Sequence, residues 1–295
     1  MLPTPLKLPL TFEEQAQKLI ARGLQNCSQV ELEVFLQGVN YYRLNAYFHR
    51  EIDPTRDRFM TGFTFETLKA RYAIDGWLRK IILLALEPIE IKVRTMLAYW
   101  SAHNAGPEMF YDASSFRDSR KWHEVFDSFE KIRHTPAEAQ DPVLLHHNEK
   151  YGGRFPIWVV VEYLSFGNTS KLLANSQTFV VTKVADSFNG LVSPLLVSWI
   201  HSISVLRNIC AHYGFLYYRC FSVLPKKAYW ERYSGFSSNQ QLFPFVLVIK
   251  YLSKPGEWSK IANLLKKRIE ESPDFKLDAY GFPVDWKNYL YDSGI

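Results

Sequence analysis

Arg207-Asn208-Ile209-Cys210-Ala211-His212 places a permanent cation, an amide and a group that titrates near neutrality within six residues. An arginine can hold a phosphate and steady the charge that builds on its oxygens, because its planar fork is always charged. A histidine can take a proton from a ribose 2′-OH or return one to a 5′-oxygen leaving group. Asn208 can donate to a phosphate oxygen or orient His212 across one helical turn. The reaction such a set permits, with no metal, is scission of an RNA phosphodiester.

Two other arginine–histidine pairs have similar spacing, Arg43 with His49 and Arg117 with His123. About 1.3 such pairs are expected by chance in a chain of this composition, so context must choose among them. The run before Arg207 has Leu196, Ile200, Ile203 and Leu206 near helical spacing, which predicts a half-buried helix carrying the late motif. A rigid element holds reacting groups more tightly than a loop does. At about 100° per residue, Asn208 and His212 share a face with Ser204 and His201, whereas Arg207 sits about 140° from His212. Either the arginine arm wraps round the helix or a second copy of the same helix completes the site. The expectation is a homodimer with the two motif helices facing each other, for which Trp199, Ile203, Leu206 and Phe215 offer apolar surface unless they fill the monomer core.

Charge points to a polyanion. Between Ser187 and Phe236 the bases are Arg207, Arg219, Lys226, Lys227 and Arg232 against the single acid Glu231, while the whole chain carries a net +5. Arg219, Lys226 and Lys227 are therefore candidate RNA contacts, with His201 and Ser204 as lining residues on the motif face. In Tyr41-Tyr42-Arg43, aromatics stand beside a base, so Tyr42 and Arg43 are further candidates for stacking and phosphate contact. Arg117 and His123 read as a solvated face.

Other chemistries find little support. Cys27, Cys210 and Cys220 are scattered and odd in number, with no C-x-x-C, and neither they nor His146-His147 have the spacing of a tetrahedral metal site. No P-loop, nucleophile elbow or H-E-x-x-H occurs, and no cofactor is expected. The cysteine usage and the proline-rich start, without a signal-peptide pattern, suggest a cytoplasmic protein. The longest apolar runs are far below a membrane span, so no membrane partner is expected.

The elements that must position the motif read as helices. Ser28-Gln29-Val30-Glu31 is a capping box, and a long pattern from about 65 to 103 contains Pro88 as an expected kink. Residues 104–153 turn polar, with a helix over 119–133, and read as an insertion. Pro156 starts an apolar helix that Gly167 is expected to end, with Thr169 or Ser170 capping the next. Glu162 on that apolar helix calls for a basic partner. Asp75 with Arg79 and Glu90 with Arg94 read as i,i+4 staples. Helices are expected over 241–252 and 257–271, and an aromatic tail over 273–295. No sheet is expected at Phe179-Val180-Val181-Thr182 despite its strand-forming residues.

In this context Arg207 to His212 resembles the R-N-x-x-x-H signature of HEPN domains, and the chain resembles the AbiD/AbiF-like abortive-infection proteins. The resembling pieces run in order: Tyr41 to Phe48, Tyr72 to Arg79 with Glu87, Glu90 and Arg94, Pro156 to Trp158 leading to Glu162 through Gly167, the Arg207 motif, and Gly281 to Trp286. The resemblance implies an all-α protein of 1–295, a HEPN-like helical bundle mainly over 60–103 and 155–272 with additional peripheral helices and loops. It implies an endoribonuclease toxin of phage defence with Arg207, His212 and Asn208 as its catalytic set and a site completed across a dimer, and it makes a small RNA antitoxin plausible. A defence module that binds RNA, senses phage or contacts protein without cutting is the alternative.

Overall fold

The computed structural model describes residues 6–135, 140–228, 235, 236 and 238–291. Thirteen α-helices occur among them, and the protein is all-α. In chain order they are α1 (Phe12–Ala21), α2 (Gln29–Gly38), α3 (Tyr41–Phe48), α4 (Phe65–Ala105), α5 (Ser119–Arg133), α6 (Pro142–Tyr151), α7 (Ile157–Tyr163), α8 (Phe166–Asn175), α9 (Thr178–Asp186), α10 (Ser193–Ala211), α11 (Phe243–Leu252), α12 (Pro255–Glu271) and α13 (Trp286–Tyr291). One small hairpin, β1 (Ile52–Asp53) with β2 (Arg58–Phe59), pairs Ile52 with Phe59 and Asp53 with Arg58.

The 41-residue α4 is the spine. Its buried positions, among them Leu68, Leu78, Ile82, Leu86, Ile89, Val93 and Leu97, repeat at three or four residues, so the helix buries one broad face along its length. Against it pack α3, α7, α9, α10, α11 and α12. Pro88 lies inside it and the helix continues through.

Local signals set the other helix starts. Ser28 accepts the amide of Glu31 at 3.2 Å and the Glu31 carboxylate accepts the amide of Ser28 at 2.9 Å, completing the box that starts α2. The α7–α8 break falls at Ser165 rather than Gly167. Ser165 is extended at ψ 154° and its hydroxyl accepts the amide of Asn168 at 3.2 Å, so a side-chain cap decides the boundary and Gly167 lies in the first turn of α8. Phe179 to Thr182 belong to α9, where Val180 and Val181 are buried. The polar stretch holds α5 and α6, and Phe110, Val125 and Phe129 join the same apolar core as α4. At the chain's other end, α13 packs on α11 and α12, so the aromatic tail is partly helical.

Candidate functional site

The motif helix α10 sits in the core by its apolar face. Leu196, Ile200, Ile203 and Leu206 are fully buried, and Trp199 nearly so. Trp199, Ile203 and Leu206 therefore fill the monomer interior and cannot supply the dimer surface expected of them; Phe215, 40% exposed, can.

The helix ends inside the motif. His212 is its C-cap, with its amide bonded to the Asn208 carbonyl at 2.9 Å. The Tyr213 amide donates to Cys210 at 3.2 Å and the Gly214 amide to Ile209 at 2.7 Å, the paired bonds of a Schellman ending. Tyr213 occupies the left-handed position such endings require, at φ 59°, with its side chain exposed. The ending thus turns the chain sharply away just after His212, which faces solvent.

What fixes this turn is a cluster from α3 and α4. The carboxylate of Asp75, fully buried, accepts the amides of Leu216 at 3.0 Å and Tyr217 at 2.9 Å, the hydroxyl of Tyr47 at 2.8 Å and the guanidinium of Arg79. Burial pushes the Asp75 carboxyl up from its ordinary range, while Tyr47, Arg79 and the two amides oppose that rise. Burial and the neighbouring Asp75 raise the Tyr47 phenol well above its usual value, keeping it a donor. The Arg43 guanidinium donates to the Tyr213 carbonyl. Arg43 is thereby tied to the backbone beside His212, and the early Tyr41-Tyr42-Arg43 segment reaches the late motif through it.

Arg207 is partly buried and paired. Its Nε lies 3.3 Å from Glu90 Oε2, and the other Glu90 oxygen lies 2.6 Å from Arg94. Arg94 is buried and also donates to the Val161 carbonyl. Glu90, Arg94 and Arg207 thus join α4 to α10, with two positive charges against one negative, and Arg94 brings in α7 through the Val161 carbonyl. A guanidinium nitrogen of Arg207 also donates to Asn208 Oδ1 at 3.4 Å. Asn208 in turn faces the first turn of α8: a Cβ on Gly167 would lie 3.8 Å from Asn208 Nδ2.

The remaining candidates divide. Ser204 is buried, with its hydroxyl donating to the His201 carbonyl at 2.8 Å, so it cannot line a solvent groove as expected. His201 and Lys226 line one cleft. Arg219 lies over Phe215 at 5.2 Å and donates to its carbonyl, which leaves it beside the motif. Tyr42, 85% exposed, and Lys227 face solvent. Glu162 also faces solvent, which removes the need for a buried basic partner. Cys210 is buried inside the motif helix, and burial, reinforced by Asp75, pushes its thiol up to about 12.

Sequence reasoning missed three residues here. Glu90 was visible as a partner of Arg94 but not of Arg207, which lies far along the chain. Asp75 was visible as a staple but not as an acceptor for Leu216 and Tyr217. Gly167 reads as punctuation, although it lies beside Asn208 in the first turn of α8.

Fold and site together define an all-α protein with an arginine, an asparagine and a histidine gathered at the end of one core helix. The family model described as Abi-like protein matches residues 34–218, more than half of the chain, and the chain belongs to that family. The matched span runs from α2 through the Schellman turn and takes in Arg43, Asp75, Glu90, Arg207 and His212; it ends before Gly281 to Trp286. Membership suggests a role in abortive-infection defence. No curated protein and no solved structure matches the chain.

Proposed function

We propose that this protein is a metal-independent endoribonuclease of the HEPN type, acting as a toxin in phage defence. The observation that carries the reading is the joint placement of Arg207, Asn208 and His212 at the solvent-facing end of α10, on a turn that Asp75 and Arg43 hold in place. In the proposed reaction the ribose 2′-oxygen attacks its own phosphate. The 2′-OH proton passes to a base, the P–O5′ bond breaks, and the 5′-oxygen is protonated, leaving a 2′,3′-cyclic phosphate and a 5′-OH. His212 handles the proton, Arg207 steadies the phosphate oxygens and Asn208 orients one or the other. Glu90 fixes the arginine head until phosphate competes for it.

Arg207 and His212 leave the helix about 140° apart, which favours a homodimer in which each copy contributes one group. Tyr213 and Phe215, exposed beside His212, supply apolar contact for it. A small RNA antitoxin would suit the same positive site.

One observation favours a second reading. The Glu90–Arg207 ion pair is what a purely structural arginine would make, and on that reading the chain is an RNA-binding module that does not cut. One experiment decides between them: purified protein is incubated with total and transfer RNA in EDTA and the ends are mapped. Cleavage with cyclic-phosphate ends, abolished by His212→Ala and by Arg207→Ala with unchanged circular dichroism, is expected. Full activity in both variants would overturn the catalytic assignment, as would activity lost to EDTA and restored by zinc or manganese. RNA bound but never cut would establish the second reading.

A further inference from the structure

A cleft of about 480 Å³ opens about two to four turns before Asn208 on the same side of α10. Helices α5, α8 and α10 wall it, with Lys121, Glu124, Lys171, His201 and Lys226 among its polar lining. Pro194, Val197, His201, Ser204 and Asn208 follow one another at three- and four-residue steps, so they form a single face of α10. Helix α8 runs antiparallel along that face: Gly167 meets Asn208 at one end, and Ser170 and Ala174 meet the earlier turns at the other. From Asn208 back to the cleft's α10 residues, His201 to Pro194, the axial rise is about 10–21 Å, or roughly three to six stacked nucleotides at ~3.4 Å each.

The chemistry of the lining is mixed in the way a nucleotide requires. Ala174, Pro194 and Val197 give an apolar wall that a base or ribose can cover, and three lysines stand against one lining carboxylate. The cleft lies within the volume range of small-molecule sites, ~300–1,000 Å³. The Lys226 backbone is fixed on both sides, its amide donating to Ser198 Oγ at 2.9 Å and its carbonyl accepting from Trp199 Nε1 at 2.7 Å. Lys171 pairs with Glu124 at 3.3 Å, and Lys121 reaches Asp118 only at 3.9 Å. Both lysines and Glu124 are well exposed and Asp118 is about one-third exposed, so these pairs are worth about 0–1 kcal/mol and a phosphate can displace them.

We propose that this cleft is a subsite for one nucleotide of the RNA strand, about three to six positions from the scissile bond, with Lys121, Lys171 and Lys226 on its flanking phosphates and His201 at its rim. The proposal rests on the reading of the protein as an RNA-cutting enzyme. It draws Lys121 into function from a stretch whose sequence reads as a peripheral insertion.

The test uses the full-length protein and an eight-nucleotide single-stranded RNA carrying a 2′-deoxy sugar at the cleavage position. Binding is followed by fluorescence anisotropy between 50 and 200 mM salt, for wild type, for a Lys121→Gln/Lys171→Gln/Lys226→Gln variant and for the corresponding triple arginine variant. The glutamine variant is expected to bind at least tenfold more weakly, with a salt slope smaller by about 2, since each single-strand phosphate contact contributes ~0.7. The arginine variant should restore both. Shortening the RNA to three nucleotides should weaken wild type and leave the glutamine variant little changed. Wild type that binds and cuts RNA beside a glutamine variant of equal affinity and slope would overturn the subsite alone. Wild type that neither binds nor cuts would overturn the functional reading with it. ATP bound as tightly as the octamer, through the same lysines, would make the cleft a free-nucleotide site and overturn the strand assignment.

Discussion

Asp75 accepts the backbone amide of Leu216, a residue 141 positions later, and so ties the first third of the spine helix to the turn that follows the Arg207–His212 motif. The same carboxylate satisfies Tyr217, Tyr47 and Arg79. Removing it leaves two amides, the phenols of Tyr47 and Tyr280 and a guanidinium without this acceptor in a buried place. Breaking a buried charge network in this way costs about 3–5 kcal/mol. Asp75→Ala should therefore lower the free energy of unfolding by that much, read as a lower urea midpoint at unchanged m-value. A loss below about 1 kcal/mol would mean that the turn is held by something else.

How far the sequence revealed this arrangement follows from the range of each interaction. The α2 capping box, α5 over 119–133 and the apolar face of α10 rest on spacings within a few residues, and the structure has them where periodicity puts them. The Thr11–Glu14 capping box of α1 carries the same local signal, a threonine three residues before a glutamate. Gly167 misled because a glycine's breaking tendency is weaker than the Ser165 cap two residues earlier. Glu90 with Arg207, Asp75 with Leu216 and Arg43 with Tyr213 join residues more than a hundred positions apart, and no periodicity encodes them. Trp199, Ile203 and Leu206 show the converse limit, since apolar type alone does not distinguish a core face from a dimer face.

Glu90 is a positioning residue in this arrangement, and its neutral isostere separates positioning from binding. In Glu90→Gln, Arg207 is released from its ion pair and a phosphate no longer competes with a carboxylate. Affinity for non-cleavable RNA should rise a few-fold, while kcat falls about tenfold because the guanidinium loses its fixed geometry. The buried Arg94 keeps the Val161 carbonyl, so the loss of stability should be about 1–3 kcal/mol. Weaker RNA binding by a variant that folds normally would count against the competition.

The thiols should report the packing of the motif helix. Cys210 is buried and its thiol is raised to about 12, whereas Cys220 is exposed. At pH 8 about one Cys210 in ten thousand is thiolate, and the thiolate is the reactive form. Iodoacetamide at pH 8 should label Cys220 within minutes and Cys210 only after unfolding, as peptide mass spectrometry would record. Equal labelling of both cysteines in the native protein would show that the last turn of α10 opens readily.

The Schellman turn gives the sharpest test of how the motif is held. A Cβ on Gly214 would stand 2.8 Å from Ile209 Cγ2 and 3.1 Å from the Ile209 carbonyl oxygen, closer than side-chain carbons normally come. The backbone has little freedom to retreat, because the Gly214 amide bonds Ile209 and the Leu216 amide bonds Asp75. Gly214→Ala should therefore cost about 1–3 kcal/mol by overpacking and reduce RNA cleavage by disturbing the turn at His212. Ile209→Leu removes the offending methyl branch, so the double variant should recover part of the loss, a non-additivity that a thermodynamic cycle measures. Tyr213→Gly makes the contrast. It relieves a left-handed conformation worth about 1 kcal/mol but gives the unfolded chain a similar gain in freedom, so stability should stay within about 1 kcal/mol of wild type. A neutral Gly214→Ala, within about 0.5 kcal/mol, would mean that the chain after His212 gives way easily and that this turn does not fix the histidine.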